Sequence, residues 1–171
     1  MPQKDFIAPV KKIERNTVIE VTDLINSLQV MIKDRGYDTL VEQEHKEQTD
    51  TKGNKKVFFY WFAKKQVSTY VKLFLEISMK SSVTNISIEQ DEKKKTMQDG
   101  DISFEIGGYV SKDIEDEWRM RKKSPFKKFL REAFDKFISR DKMESYESEL
   151  EEDIKNIVHE LKTYLKMQRI D

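Results

Sequence analysis

The stretch from Val57 to Met79, VFFYWFAKKQVSTYVKLFLEISM, constrains the fold more than any other part of this chain. Its first part carries a large side chain at every position: Val57, Phe58, Phe59, Tyr60, Trp61 and Phe62. Its second part alternates. Val71, Leu73, Leu75, Ile77 and Met79 fall on one face, and Tyr70, Lys72, Phe74, Glu76 and Ser78 on the other. A period of two is the signature of a strand. The spacing therefore predicts a β-hairpin with a polar turn around Lys64-Lys65-Gln66. An isolated hairpin is marginal in water, so the remaining chain must supply the layers that cover this one.

The flanking segments supply them. Residues 1–16 read as an N-terminal arm, with Pro2 and Pro9 discouraging helix. Thr17 to Val21 is a short β-prone run. Thr22 or Asp23 suits a helix N-cap, and Leu24, Ile25, Leu28, Met31 and Ile32 follow as one stripe. Gly36 stands where a helix ends at positive φ. Residues 38–48 read as an edge strand whose charges discourage edge-to-edge pairing. Ser81-Ser82 punctuates after the hairpin, and Asn85 to Glu89 alternates as a further strand. Asp99-Gly100 reads as the turn closing a polar tip over 89–100. Ile102, Phe104 and Ile106 alternate next, and Gly107-Gly108 reads as a bulge or strand end.

The last third has helical periodicity. Ile114 and Trp118 share a face of a short segment, 112–120. Ser124-Pro125 opens a helix with a stripe of Phe126, Phe129, Leu130, Ala133, Phe134, Phe137 and Ile138. Asp141-x-x-Glu144 resembles a capping box for a final helix striped by Met143, Tyr146, Leu150, Ile154, Ile157, Val158, Leu161 and Leu165. The expected class is α+β: an antiparallel β-meander of four to five strands with one N-terminal helix and two C-terminal helices packed on it. Strands cluster in the middle, which argues against βαβ crossovers. Residues 17–171 read as one domain, a size suited to a single core.

The order strand, helix, meander, long helix resembles that of helix-grip proteins. That resemblance implies a curved sheet wrapped around the last helix, and a hydrophobic-ligand carrier. With Gly36-Tyr37 after the first helix and Tyr146-Glu147 in the last helical segment, the chain is also similar to small, charged, uncharacterised archaeal α+β proteins. That likeness implies no activity.

Composition narrows the function classes. With 32 basic and 32 acidic residues the net charge is zero, so partners must be sought in local patches. The absence of cysteine excludes disulfides and cysteine-based metal sites. No apolar run reaches the ~20 residues that span a bilayer, and the N-terminus lacks the apolar core of a signal peptide. The expectation is a cytoplasmic protein with no membrane span.

Four constellations could carry chemistry. The segment 119–142 holds ten basic residues (Arg119, Arg121, Lys122, Lys123, Lys127, Lys128, Arg131, Lys136, Arg140 and Lys142) against three acidic ones. The part from Arg119 to Lys128 lies at a helix entrance, where backbone N–H groups also favour an anion. The plainer reading is a solvated face neutralised by Glu144, Glu147, Glu149, Glu151, Glu152 and Asp153. Tyr60, Tyr70 and Phe74 with Lys64, Lys65 and Lys72 could form a base-stacking sheet face, against the simpler reading as core. The Phe, Tyr and Met residues could line a cavity between sheet and final helix, although close packing is the default.

Catalysis has least support. His45 stands among Glu42, Glu44 and Glu47. Regular alternation leaves only Glu47 and Gln43 on its face, and so one carboxylate. His159 reads as a surface or boundary residue. No nucleophile pairing, HExxH or phosphate-binding glycine loop is present.

The expectation is thus a non-enzymatic binding protein without cofactor or metal. Its leading partner is RNA or a ribonucleoprotein, contacted through Arg119, Arg121, Lys122, Lys123, Lys127, Lys128 and Arg131. The alternative is a protein–protein adaptor or homo-oligomer. A carrier of helix-grip type is third.

Overall fold

A computed structural model describes residues 4, 6–68, 71–112 and 140–167. The elements run β1 (Phe6–Ile19), α1 (Val21–Asp34), β2 (Thr39–Thr49), β3 (Asn54–Gln66), β4 (Val71–Gln90), β5 (Lys93–Lys112) and α2 (Arg140–Met167). The strands form one five-stranded antiparallel sheet in the order β1-β5-β4-β3-β2. Strands β2 to β5 are a meander, and β1 closes its far side by pairing with β5. Both described helices pack against one face of this sheet, and the trough described below lies on the other.

Several expectations need correction. The described residues carry two helices, not one N-terminal and two C-terminal helices, and the first of them follows a full strand. The helix expected over 124–138 and the segment at 113–120 lie outside the described residues. Residues 6–16, read as an arm, belong to the 14-residue β1. Pro9 had argued against helix there, but a strand tolerates proline where no ladder bond is required. The register of β1 shifts between Ala8 and Lys11, a bulge that holds Pro9.

The hairpins are also longer than their turn residues suggest. Lys64-Lys65-Gln66 stays in β3, and the connection follows it. Ser81-Ser82 does not interrupt β4, which runs for 20 residues. Nothing there breaks the alternation, since Ser81 and Val83 continue the buried row of Ile77 and Met79. The β4–β5 turn is at Asp91-Glu92, with φ of 54° and 64°, and Asp99-Gly100 lies inside β5. Positive φ at both central residues is the geometry a tight two-residue hairpin requires. Gly107-Gly108 likewise lies inside β5, paired with Glu76 and Leu75; the bulge is on the facing strand β1.

The core forms where alternation meets the helical stripes. Phe59, Trp61 and Ala63 of β3 stand beside Leu75, Ile77 and Met79 of β4, and these beside Ile106 and Phe104 of β5. Leu24, Leu28, Met31 and Ile32 of α1 cover one part of this face. Leu150, Ile154, Ile157, Leu161 and Leu165 of α2 cover another, each at most 2% exposed. The interface between sheet and last helix is therefore filled with side chains. The helices are tied by Arg35 to Glu160 and by the Tyr164 hydroxyl donating to Asp23 at 2.5 Å. Helix α1 starts after Glu20 with no side-chain cap, so neither Thr22 nor Asp23 is its N-cap. Gly36 has φ +91°, the left-handed conformation that ends the helix. Asp141 lies within α2 rather than before it. No described helix is long and apolar enough to cross a membrane.

Candidate functional site

The outer sheet face carries a broad concavity. Two cross-strand rows define it. Lys46, Phe58, Lys80, Ser103 and Glu14 are successive neighbours across β2, β3, β4, β5 and β1. Gln48, Lys56, Ser82, Asp101 and Asn16 form the row beside them. Side chains two residues apart on a strand share a face, so both rows point away from the helices. The sheet curls here, and these rows line a trough of about 890 Å³ that spans all five strands. That volume is within the ~300–1,000 Å³ range of ligand sites.

Phe58 is half-buried in the floor, with Lys80 Nζ 5.9 Å from its ring centroid. Lys46 is paired with Glu44 at 2.7 Å. Lys56 and Lys80 form no ion pair among the described residues. At the β1 side Asn16 donates to Asp101 at 2.8 Å. The charges are mixed along the trough. Its lysines without an ion pair are on β3 and β4; on β2 Glu44 offsets Lys46, and on β1 Arg15 stands beside Glu14, with Asp101 on β5.

The expected nucleic-acid residues Arg119, Arg121, Lys122, Lys123, Lys127, Lys128 and Arg131 lie outside the described residues, as does Tyr70. The structure separates the remaining base-stacking candidates. Phe74 is buried, stacked on Tyr109 at 4.7 Å and on Phe62 at 5.1 Å, and so offers no free ring face. Tyr60 is half-buried and Lys64 exposed on the same outer face. Lys65 points the other way, into the core.

There Lys65 joins a polar cluster that links β3, α2 and the turn after α1. Its ammonium donates to Glu149 at 2.8 Å and to Asp153 at 3.4 Å, and stands 5.5 Å from the Tyr37 ring centroid. The Tyr37 hydroxyl donates to Asp153 at 3.0 Å. Burial raises the Asp153 carboxyl above its ordinary value, against the opposing pull of Lys65 and Tyr37. For Lys65 burial pulls downward, but the hydrogen bond to Glu149 and the charges of Asp153 and Glu149 carry it above 10.5. Burial first, then the Asp153 charge, pushes Tyr37 far above its ordinary range.

A group raised above its unfolded value stabilises the fold below that value and loses the contribution as pH rises past it. Lys65→Met is therefore expected to cost about 2 kcal/mol at pH 7, by leaving Asp153 buried without its counter-charge. The deficit should start to shrink above about pH 10.5, where the unfolded chain loses its Lys65 proton while the native protein still holds it, and should vanish only as pH passes the raised native value. Tyr37 titrates in the same direction in both proteins, so their difference reports Lys65. Urea unfolding at pH 7 and pH 11 measures it; an unchanged deficit at pH 11 would assign the loss to packing alone.

His45 departs from the expected alternation. A bulge between Glu42 and Glu44 shifts the register of β2 on β3. It turns Glu42 onto the His45 face, so His45 lies between two carboxylates rather than beside one. Nδ1 is 2.9 Å from Glu42 Oε1 and Nε2 3.7 Å from Glu47 Oε2. Trp61 Nε1 donates to Glu42 Oε1 over 3.4 Å. Lys55 pairs with Glu47 and, ahead of His45, lowers its carboxyl below the ordinary value. A pocket of about 190 Å³ opens here between α1 and the sheet, lined by Ile25, Gln29, Leu40, Glu42, His45, Phe59 and Trp61. His159 is exposed on α2. Among the described residues no cluster of His, Asp and Glu has the geometry of a metal site. Sequence reasoning missed both the trough, which no single strand encodes, and the bulge, which carries no glycine or proline to announce it. No protein-family model matches the chain, and no curated protein matches it in sequence.

Proposed function

We propose that this is a non-enzymatic binding protein whose outer-face trough holds a single-stranded nucleic acid, in keeping with a ribonucleoprotein accessory role. One observation carries the reading: the half-buried Phe58 ring in the floor of a trough of about 890 Å³, with Lys80 over it and Lys56 in the adjacent row. An aromatic face accepts any base by stacking, and neighbouring lysines engage the phosphates. Asp101, Glu14 and Glu44 repel phosphate, which keeps the backbone nearest Lys56 and Lys80 of β3 and β4. The basic residues from Arg119 to Arg131 add a second phosphate contact on composition alone.

Fluorescence anisotropy with a short labelled RNA tests this. Binding at about 50 mM salt should fall by an order of magnitude or more at about 200 mM, because counterions are released. Phe58→Ala is expected to weaken binding by about 1–3 kcal/mol. Lys56→Ala with Lys80→Ala should reduce the salt dependence. Arg121→Ala, Lys122→Ala and Lys123→Ala together report the basic segment separately. Absence of binding at low salt would overturn the nucleic-acid reading. A protein adaptor or homo-oligomer would then gain ground from Ile7 and Val10, 65% and 60% exposed on edge strand β1.

A further inference from the structure

We propose that the free edge of β4, from Asn85 to Gln90, pairs antiparallel with the same edge of a second copy of this chain, about a twofold axis at Ile88. The inference does not rest on the trough.

The β4–β5 hairpin outruns its neighbours. The last rung of β3 joins Asn54 to Thr84 of β4, and the last rung of β1 joins Ile19 to Gln98 of β5. Beyond them, from Ile86–Met97 to Gln90–Lys93, the rungs join β4 and β5 alone among the described residues. An isolated two-stranded ribbon is marginal in water, and further strands sharing an apolar face stabilise it. The ribbon has such a face, because Ile86, Ile88 and Met97 stand on one side of it.

Its two edges differ. The β5 edge carries Lys93, Lys94 and Lys95 in succession, all exposed, and charges of that kind keep an edge from pairing. Its inner end is also occupied: Lys95 pairs with Glu20 at 3.1 Å, and Gln98 accepts from the Val21 N–H at 2.9 Å. The β4 edge has Ile86, Ser87 and Ile88, with no lysine or proline. Its one charge, Glu89, stands opposite Lys94 of its own ribbon. The backbone groups on that side have no ladder partner among the described residues, which makes the edge a template for another strand.

The sequence of this edge is complementary to itself. Faces are preserved in an antiparallel pair, so each residue must meet one from its own face. With Ile88 on the axis, Ile88 meets Ile88 of the second copy, Ser87 meets Glu89 and Ile86 meets Gln90, so no like charges are opposed. An axis at Glu89 would oppose two carboxylates. An axis at Ser87 would bring Gln90 against Thr84, a place that Asn54 of β3 already fills. The result is a four-stranded sheet across the two copies, with Ile86 and Ile88 of both on one face. The contact uses the same patch on each chain and is small, hence of the weak class.

Sedimentation equilibrium of the full chain, over a concentration series reaching the millimolar range, is expected to approach twice the 20.4 kDa of one chain. Ile88→Lys and Ile88→Glu should each weaken the dimer about tenfold or more, by placing like charges on the axis, and a mixture of the two should dimerise again. Ile88 is no part of the domain core, so these variants fold. The chain has no cysteine, so single introduced thiols report distance. Ile88→Cys should cross-link on oxidation, its paired Cα atoms being about 5 Å apart. Ile86→Cys, whose two copies lie about 14 Å apart in this register, should cross-link about tenfold more slowly or less. The proposal is overturned by a monomer throughout the series, by a dimer that Ile88→Lys leaves intact, or by equal cross-linking of the two cysteine variants. The RNA assay reads the trough and these variants read the ribbon, so loss of either reading leaves the other standing.

Discussion

Replacing Gly108 with alanine is expected to cost at least about 3 kcal/mol of stability, while Gly107→Ala costs under about 1 kcal/mol. The two glycines are adjacent in β5 but face opposite sides of the sheet. A methyl group on Gly108 would overlap the backbone carbonyl of Phe74 in β4 and stand 3.1 Å from Leu150 Cδ1 of α2. Neither neighbour can yield cheaply. The carbonyl belongs to a paired strand, and Leu150 is fully buried. The added atom must therefore part β4 from β5 or lift α2 from the sheet, and overpacking of that kind lies in the severe tail of single substitutions. A methyl on Gly107 meets Val10 Cγ2 at 3.2 Å, the end of an exposed side chain that can rotate away. Chemical denaturation of the two variants side by side provides the test. Equal costs would mean that the helix does not press on the sheet at Gly108.

Phe104→Ala should cost about 3–5 kcal/mol, the range for removing a buried aromatic ring. Phe104 is 0% exposed at the middle of β5. Its cross-strand neighbours are Ile13 of β1 and Met79 of β4. Both neighbours are held in paired strands, so the cavity should persist. A domain typically has only ~5–15 kcal/mol of total stability, so this one ring accounts for a large share. The expected readout is a lower denaturation midpoint with an unchanged slope against denaturant. A loss below about 1.5 kcal/mol would show that the β1–β5–β4 region repacks freely. Phe58→Ala, on the outer face, is expected to leave the fold intact, which is what makes it usable in the RNA assay.

The parts of the fold that sequence reveals are those set by local periodicity. The alternation of Val71 to Met79 and the stripe from Leu24 to Ile32 each place one apolar face against a core, and the same residues are buried in the structure apart from Ile25, which is partly buried. The edge position of β2 follows from the charges of Glu42, Glu44, Lys46 and Glu47, and β2 is indeed the last strand of the sheet. Strand ends were less legible. Ser81-Ser82 and Asp99-Gly100 look like turns, yet both lie inside long strands whose partners supply backbone bonds on either side. Asp91-Glu92 does not look like a tight turn, but it bends the chain because the pairing of Gln90 with Lys93 leaves only two residues between them. Residues 6–16 were misread for the same reason: β1 gains its hydrogen bonds from β5, about 90 residues later in the chain.

The candidate sites divide in the same way. Sequence alone determined that the protein builds one core from an antiparallel sheet and amphipathic helices. It also determined that cysteine chemistry is closed to the protein and that charge acts locally. Tertiary structure alone decided which of these residues meet. The trough exists because five strands bring Lys46, Phe58, Lys80, Ser103 and Glu14 into one row, although 89 residues separate the first from the last in number order. The pocket exists because one bulge breaks the alternation that would have turned Glu42 away from His45. Periodicity is a property of neighbours along the chain. Register and curl are properties of strands that meet only on folding, and these two sites depend on them.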